Sequence, residues 1–230
     1  MRIRPADKEG MAKARLGMAF ADLRGGMNNH VLVLTRSGLS VRRKPRYKYP
    51  VDPAVREGSL RLESASSIYA TFSASEASAW RRYAASLARL DPITGKRYSP
   101  AGRNAFIGLA VKFQQVNPGA EVPRTPPVGS FMGDTVSVSA SVAGGAIRFT
   151  ASHANADGVT TELMLQKLKN IRCMPGKVYK AAAFVSFAPG SLSADVPVES
   201  GVYACAIRFV ERATGRQTFV YPLDGVFEMG

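Results

Sequence analysis

The chain has 230 residues, with 31 Lys plus Arg against 17 Asp plus Glu, a formal net charge of +14 and 46% apolar residues. An ordinary apolar fraction and only two cysteines exclude a disordered tail, a collagen-like rod and a disulfide scaffold, which leaves one or two globular domains. No run approaches the roughly 18 apolar residues of a membrane helix. The opening segment, with Arg2, Arg4, Asp7, Lys8 and Glu9, lacks the apolar core of a secretory signal. The expectation is a protein made in the cytoplasm, without a signal peptide or a membrane partner.

Charge is unevenly placed along the chain. Residues 1–50 hold twelve basic and three acidic side chains, residues 51–130 ten and six, and residues 131–230 nine and eight. A solubilising surface would not concentrate its excess at one end. The asymmetry points to a polyanionic or acidic partner for the front of the molecule.

In chain order, residues 1–24 read as an N-terminal arm and residues 25–116 as a basic hairpin and helical module. Residues 30–34 have strand character, 35–38 turn chemistry and 39–43 the character of a returning strand, preceded by Gly25 and Gly26. The hairpin runs into Arg42, Arg43, Lys44, Pro45, Arg46, Tyr47, Lys48, Tyr49 and Pro50, where two prolines impose an extended path. Three helical segments follow. Asp52-Pro53 opens the first, whose apolar positions Leu60, Ile68, Tyr69 and Phe72 match a helical stripe loosely. Ser73 and Glu76 have capping-box spacing and open the second, with Trp80, Tyr83, Leu87 and Leu90 on one stripe and Arg81, Arg82 and Arg89 beside or opposite it. Ser99-Pro100 offers an N-cap and a proline at the first position of a third helix, which buries Phe106, Leu109, Ala110 and Phe113 and ends near Asn117.

Residues 117–130 contain Pro118, Pro123, Pro126 and Pro127 and read as a linker. Beyond it, over residues 131–230, the period changes to two. Val136, Val138, Ala140 and Val142 alternate with hydroxyl side chains, and further strands are expected over 146–151, 159–168, 178–187, 194–198, 201–210 and 218–228. Seven strands with Gly-containing separators form the profile of an antiparallel sandwich. The predicted fold class is therefore an α+β N-terminal module, a β-hairpin plus about three helices, followed by an all-β immunoglobulin/fibronectin III-like sandwich.

The run Glu199-Ser200-Gly201-Val202-Tyr203-Ala204-Cys205 resembles the F strand of immunoglobulin domains, where the tyrosine hydroxyl bonds back to the upstream corner. Trp80 lies outside this region, and no cysteine stands between Phe131 and Arg172 to pair with Cys205. The pattern is that of a disulfide-free sandwich, closer to fibronectin type III. Cys173 and Cys205 could pair in principle, but a chain without a signal is expected to be reduced, and Cys205, which shares a strand face with Tyr203, Ile207 and Phe209, reads as a buried free thiol. Trp80, Phe106, Tyr203 and Cys205 are the expected structural residues.

Catalytic signatures are missing from the sequence. His30 and His153 are the only histidines, with no zinc-ligand spacing around them, and there is no G-x-S-x-G, H-E-x-x-H or G-x-G-x-x-G. Thr94-Gly95-Lys96 imitates part of a phosphate loop, but Leu90 occupies the first glycine's place and Arg97 that of the Ser or Thr. The expectation is a non-enzyme with no cofactor, metal or small-molecule substrate. Arg42, Arg43, Lys44, Arg46 and Lys48, interleaved with Tyr47 and Tyr49, suit nucleic acid through counterion release and base stacking. They suit an acidic groove on a protein equally well. A solvated arm is the third reading.

The layout Met11-Ala12-Lys13, Gly17, Gly25-Gly26, Asn28-Asn29, a Ser-Gly turn and Val41-Arg42-Arg43-Lys44-Pro45 resembles a bacterial family of unassigned activity. Its members open with M-x-K, carry a glycine-rich strand pair ending in R-x-x-P or R-x-K-P, and continue through helices into a fibronectin-like half. Trp80 to Tyr83 and Gly102-Arg103-Asn104-Ala105-Phe106 are similar to its W-x-x-Y and G-x-N-A-F elements. The resemblance leaves Met1 or Met11 as the native start. It implies a structural protein of a virion or phage-like particle, partnered by copies of itself or other particle proteins. A soluble nucleic-acid-binding protein using the basic tail is the alternative.

Overall fold

The computed structural model describes residues 12–14, 25–27, 30–35, 38–43, 53–90 and 97–230, which fall into two compact units, Met1–Asp52 and Pro53–Gly230. Among the described residues no helix is long and apolar enough to cross a membrane. In the first unit, strands β1 (Ala12–Ala14), β2 (Gly25–Met27), β3 (His30–Thr35) and β4 (Gly38–Arg43) form an antiparallel sheet in the order β1-β4-β3-β2. The central pair runs in register from His30↔Arg43 to Thr35↔Gly38, so the hairpin lies where the alternation and turn chemistry put it. Lys44, Arg46, Tyr47, Lys48 and Tyr49 of the basic tail lie outside the described residues.

The second unit begins with α1 (Pro53–Ala70), whose first residue is a proline, the position where a missing N–H costs nothing. Helix α2 (Ala74–Ser86) is opened by a capping box in which the Ser73 hydroxyl accepts from the Glu76 N–H at 3.3 Å and the Glu76 carboxylate accepts from the Ser73 N–H at 2.7 Å. A short ribbon, β5 (Arg89–Leu90) and β6 (Arg97–Tyr98), then precedes α3 (Gly102–Val116). Two expected boundaries shift. Helix α2 stops at Ser86, so Leu87 and Leu90 are exposed and do not extend the Trp80 stripe. Helix α3 is preceded by Ala101, which makes no side-chain cap, and not by Ser99. A Cβ on Gly102 would lie 2.9 Å from the Arg81 nitrogen, so α3 meets the backbone of α2 closely at this glycine. Leu60 is likewise exposed on α1.

Trp80 and Phe106 centre the helical core, edge to face with centroids 5.1 Å apart, and Ala65, Ala84, Ala105, Ala110 and Phe113 close around them. The proline-rich segment is part of this packing. Val122 is buried in the same cluster, and Trp80 Nε1 donates to the Arg124 carbonyl at 2.7 Å. Arg124 lies over the Phe72 ring and donates to the Glu76 carboxylate through Nε at 2.7 Å and Nη2 at 3.2 Å. By contact, the chain divides after Asp52, and residues 117–130 belong to one unit with both the helices and the strands that follow.

Seven antiparallel strands complete the fold: β7 (Val138–Ala143), β8 (Ala146–Ala151), β9 (Val159–Leu168), β10 (Lys180–Val185), β11 (Ser193–Pro197), β12 (Gly201–Glu211) and β13 (Tyr221–Met229). They form two sheets, β11-β8-β7 and β10-β9-β12-β13, and Ile147, Phe149 and Val196 of one share a core with Leu163, Cys205, Ile207 and Phe209 of the other. The protein is thus an α+β fold with a C-terminal β-sandwich. Residues 159–164 and 202–207 are buried without alternation, because the outer face of the four-stranded sheet is covered as well. Helix α3 supplies cover there. Gly215, at φ +75°, brings the turn after β12 so close to α3 that a Cβ would sit 2.4 Å from the Leu109 carbonyl.

Glu76 serves the helix cap and the Arg124 pair together, and hydrogen bonding from Arg124 above all, then from Ser73, holds its carboxyl at about 2. The unfolded chain releases this proton near the ordinary value of about 4.3. The stabilisation is therefore fully present above that value and lost as the pH falls toward 2. Thermal unfolding of the protein and of Glu76→Gln across this range will show the variant less stable at pH 6, with the gap closing at the acid end.

Candidate polyanion and partner interface

The first surface is the exposed end of the β3–β4 hairpin. Arg42 and Arg43 are both exposed, and they face Val31 and exposed His30 across the strand pair. Being consecutive, they project to opposite faces of the sheet. The hairpin thus brings a guanidinium to each face. Of the predicted binding residues, these two are the ones the structure describes.

A second basic surface lies on α2 and the ribbon. Trp80 and Ala84 turn inward, which leaves Arg81 and Arg82 on the solvent side. Arg89 and Arg97 sit on β5 and β6, so Arg89 belongs to the ribbon and not to the helix as its spacing suggested. Register pairs Arg89 with Tyr98 and Leu90 with Arg97, and Leu90 and Tyr98 are 69% and 64% exposed. None of these four guanidinium groups has an acidic partner among the described residues.

Inside the same unit the charges are paired. Glu162, on β9, is completely buried. Lys112 of α3 donates to both its oxygens at 3.0 Å, and Arg208, its direct cross-strand neighbour on β12, donates through Nε at 2.5 Å and Nη2 at 3.1 Å. The Lys112 ammonium also lies 5.1 Å from the centre of the Phe184 ring. Burial pushes the Lys112 ammonium below the usual lysine range, and the Glu162 carboxylate opposes that shift. A carboxylate and an amine of this kind can exchange a proton with a substrate only if one reaches them. Neither of two cavities found among the described residues does. One, of about 10 Å³, lies beneath Trp80 and Phe113, and the other is an open groove of about 550 Å³ between α1 and α3, lined by Leu62, Glu63, Arg103 and Asn104. Among the described residues no group of His, Cys, Asp and Glu is arranged to hold a metal.

The structural residues are placed as follows. Trp80, Phe106, Tyr203 and Cys205 are all buried. The Tyr203 hydroxyl donates to the Glu199 carbonyl at 3.1 Å. Both cysteines are free thiols. Cys205 is fully buried and pushed up to about 12 by that burial, whereas Cys173 is half-buried on the loop after β9.

Sequence reasoning missed the Lys112–Glu162–Arg208 cluster, although an acid inside the predicted strand 159–168 and an arginine inside 201–210 were signals that two charges had to meet. It also missed the loop between β9 and β10. That segment carries several cations and no acid, but the near-balance of residues 131–230 as a whole concealed it. No family model matches the chain, and no curated protein or solved structure is similar enough to count as a match.

Glu162→Gln leaves the buried Lys112 and the partly buried Arg208 without a counter-charge and is expected to cost about 3–5 kcal/mol in urea unfolding, whereas Lys112→Met, which leaves the Glu162–Arg208 pair, costs less. With a thiol reagent such as Ellman's, the native protein releases colour from Cys173 alone, and Cys205 reacts only after denaturation.

Proposed function

We propose that the chain is a non-enzymatic structural protein of a virion or phage-like particle, present in many copies, which self-assembles or docks on the particle through its basic N-terminal module. The observation that carries this reading is the separation of charge by depth. The buried carboxylate of Glu162 is saturated by Lys112 and Arg208. Arg42, Arg43, Arg81, Arg82, Arg89 and Arg97 stand exposed, with no acidic partner among the described residues. Charges locked inside do no chemistry, and each local group of unpaired cations attracts an acidic surface. Many weak contacts of this kind become strong when a lattice presents them together.

The sandwich supports the reading by analogy of fold. Strand β10, fourth of the seven, pairs with β9 on the four-stranded sheet, whereas in an antibody constant domain the fourth strand joins the other sheet. Together with the Tyr203 hydroxyl bond to the upstream corner, this favours an immunoglobulin-like sandwich of the fibronectin III kind. Such modules present surfaces and bridge neighbours in many unrelated proteins.

Sedimentation velocity and negative-stain imaging of the full chain test the proposal. Assemblies larger than a monomer are expected at about 50 mM salt, weakening at about 300 mM and in an Arg42→Ala, Arg43→Ala, Lys44→Ala variant. A monomer at every salt concentration overturns it. If that monomer also binds duplex DNA with a salt slope that shrinks in the variant, the nucleic-acid reading replaces it.

A further inference from the structure

From Leu163 to Ala194 the chain contains no acidic residue, yet it contains Lys167, Lys169, Arg172, Lys177 and Lys180. Lys167 is engaged, 3.4 Å from the Glu199 carboxylate and above the Tyr203 ring. The other four are exposed on or beside the β9–β10 loop, without an acidic partner among the described residues. Interleaved with them, Ile171, Met174 and Val178 are 55%, 90% and 74% exposed. This loop is braced. The Arg172 and Cys173 N–H groups donate to the Asn170 side chain and carbonyl at 3.0 and 3.1 Å, and the Gly176 N–H donates to Gln166 Oε1 at 2.9 Å. Three aliphatic side chains are therefore exposed on a hydrogen-bonded loop and interleaved along the chain with cations.

We propose that the β9–β10 loop docks on the surface of an anionic phospholipid bilayer, with Ile171, Met174 and Val178 entering the boundary between headgroups and acyl chains. Lys169, Arg172, Lys177 and Lys180 then lie among the anionic headgroups. The side-chain chemistry selects this partner. Aliphatic groups gain burial in a bilayer but little against a phosphate backbone, where tolerant binding relies on aromatic stacking. Three of the four cations are lysine, a residue depleted at protein interfaces and drawn to anionic leaflets. Attachment of this kind needs no spanning helix, so the lack of an apolar run of that length does not bear on it. The inference stands apart from the particle reading, since it concerns the sandwich and not the N-terminal module.

The test is flotation of the full chain with vesicles of phosphatidylcholine alone or with about 30% phosphatidylserine, at about 150 mM salt. The protein is expected to float with the anionic vesicles only. Combined Ile171→Ser, Met174→Ser and Val178→Ser, which keeps every charge, should weaken binding by about tenfold or more. In Met174→Trp, emission should shift to the blue on adding anionic vesicles, because the native Trp80 is already buried. An Arg42→Ala, Arg43→Ala variant should still float. Failure to float, undiminished flotation of the triple serine variant, or binding of duplex DNA through Lys169, Arg172, Lys177 and Lys180 without vesicle binding would each overturn the proposal.

Discussion

The carboxylate of Glu162 is the constraint around which the larger unit is arranged. It lies on the outer face of the four-stranded sheet, fully buried, and two cations from different layers neutralise it. Arg208 comes from the adjacent strand, and Lys112 comes from α3. Apolar burial is non-directional and would let a helix slide or rotate over a sheet. An ammonium that must reach one carboxylate at 3.0 Å does not allow this. With α3 placed, Gly215 has room to lie against Leu109, and Asn117 at the helix end donates to the Arg212 carbonyl at 2.7 Å. A buried ion cluster adds little net stability compared with a well-packed apolar alternative, so its contribution here is to orientation.

The same use of acids shapes the surface. Glu57, Glu76, Glu162, Asp195, Glu199 and Glu211 each pair with a nearby cation. Because the chain has far fewer acids than bases, pairing these six concentrates the remaining cations in particular places. The α2 face with its ribbon and the β9–β10 loop are two such places. They differ in the company the cations keep, which is guanidinium beside a tyrosine in the first and lysine beside aliphatic side chains in the second. On the two proposals above, that difference in chemistry, more than charge, sets their partners apart.

Much of the fold was legible because it rests on local physics. The Ser73–Glu76 box is a four-residue event, and the strand over 146–151 follows from alternation and from the Gly144-Gly145 turn that precedes it. Where neighbours decided, the reading failed. Leu87 and Leu90 continue the helical stripe in one dimension, yet α2 closes at Leu87 and the chain turns into a ribbon. Ser99-Pro100 has good capping chemistry, but α3 begins where Gly102 permits contact with the backbone of Arg81. Four prolines point to a linker at 117–130, yet the segment is packed. Proline blocks helix and sheet but does not prevent packing, and Val122 and Arg124 hold the segment to Trp80 and Glu76.

By itself, the sequence determined the α+β class with a C-terminal sandwich, the approximate positions of its seven strands, the buried aromatic and thiol positions, and the surplus of positive charge. These depend on residue type and on spacing along the chain, which are one-dimensional quantities. Only tertiary structure decided that Lys112, Glu162 and Arg208 meet, that the outer face of β9 and β12 is buried, and which cations remain without acids nearby. Such outcomes depend on residues separated by tens of positions, as with the 50 that separate Lys112 from Glu162, and no local pattern specifies which of the available charges will come within reach.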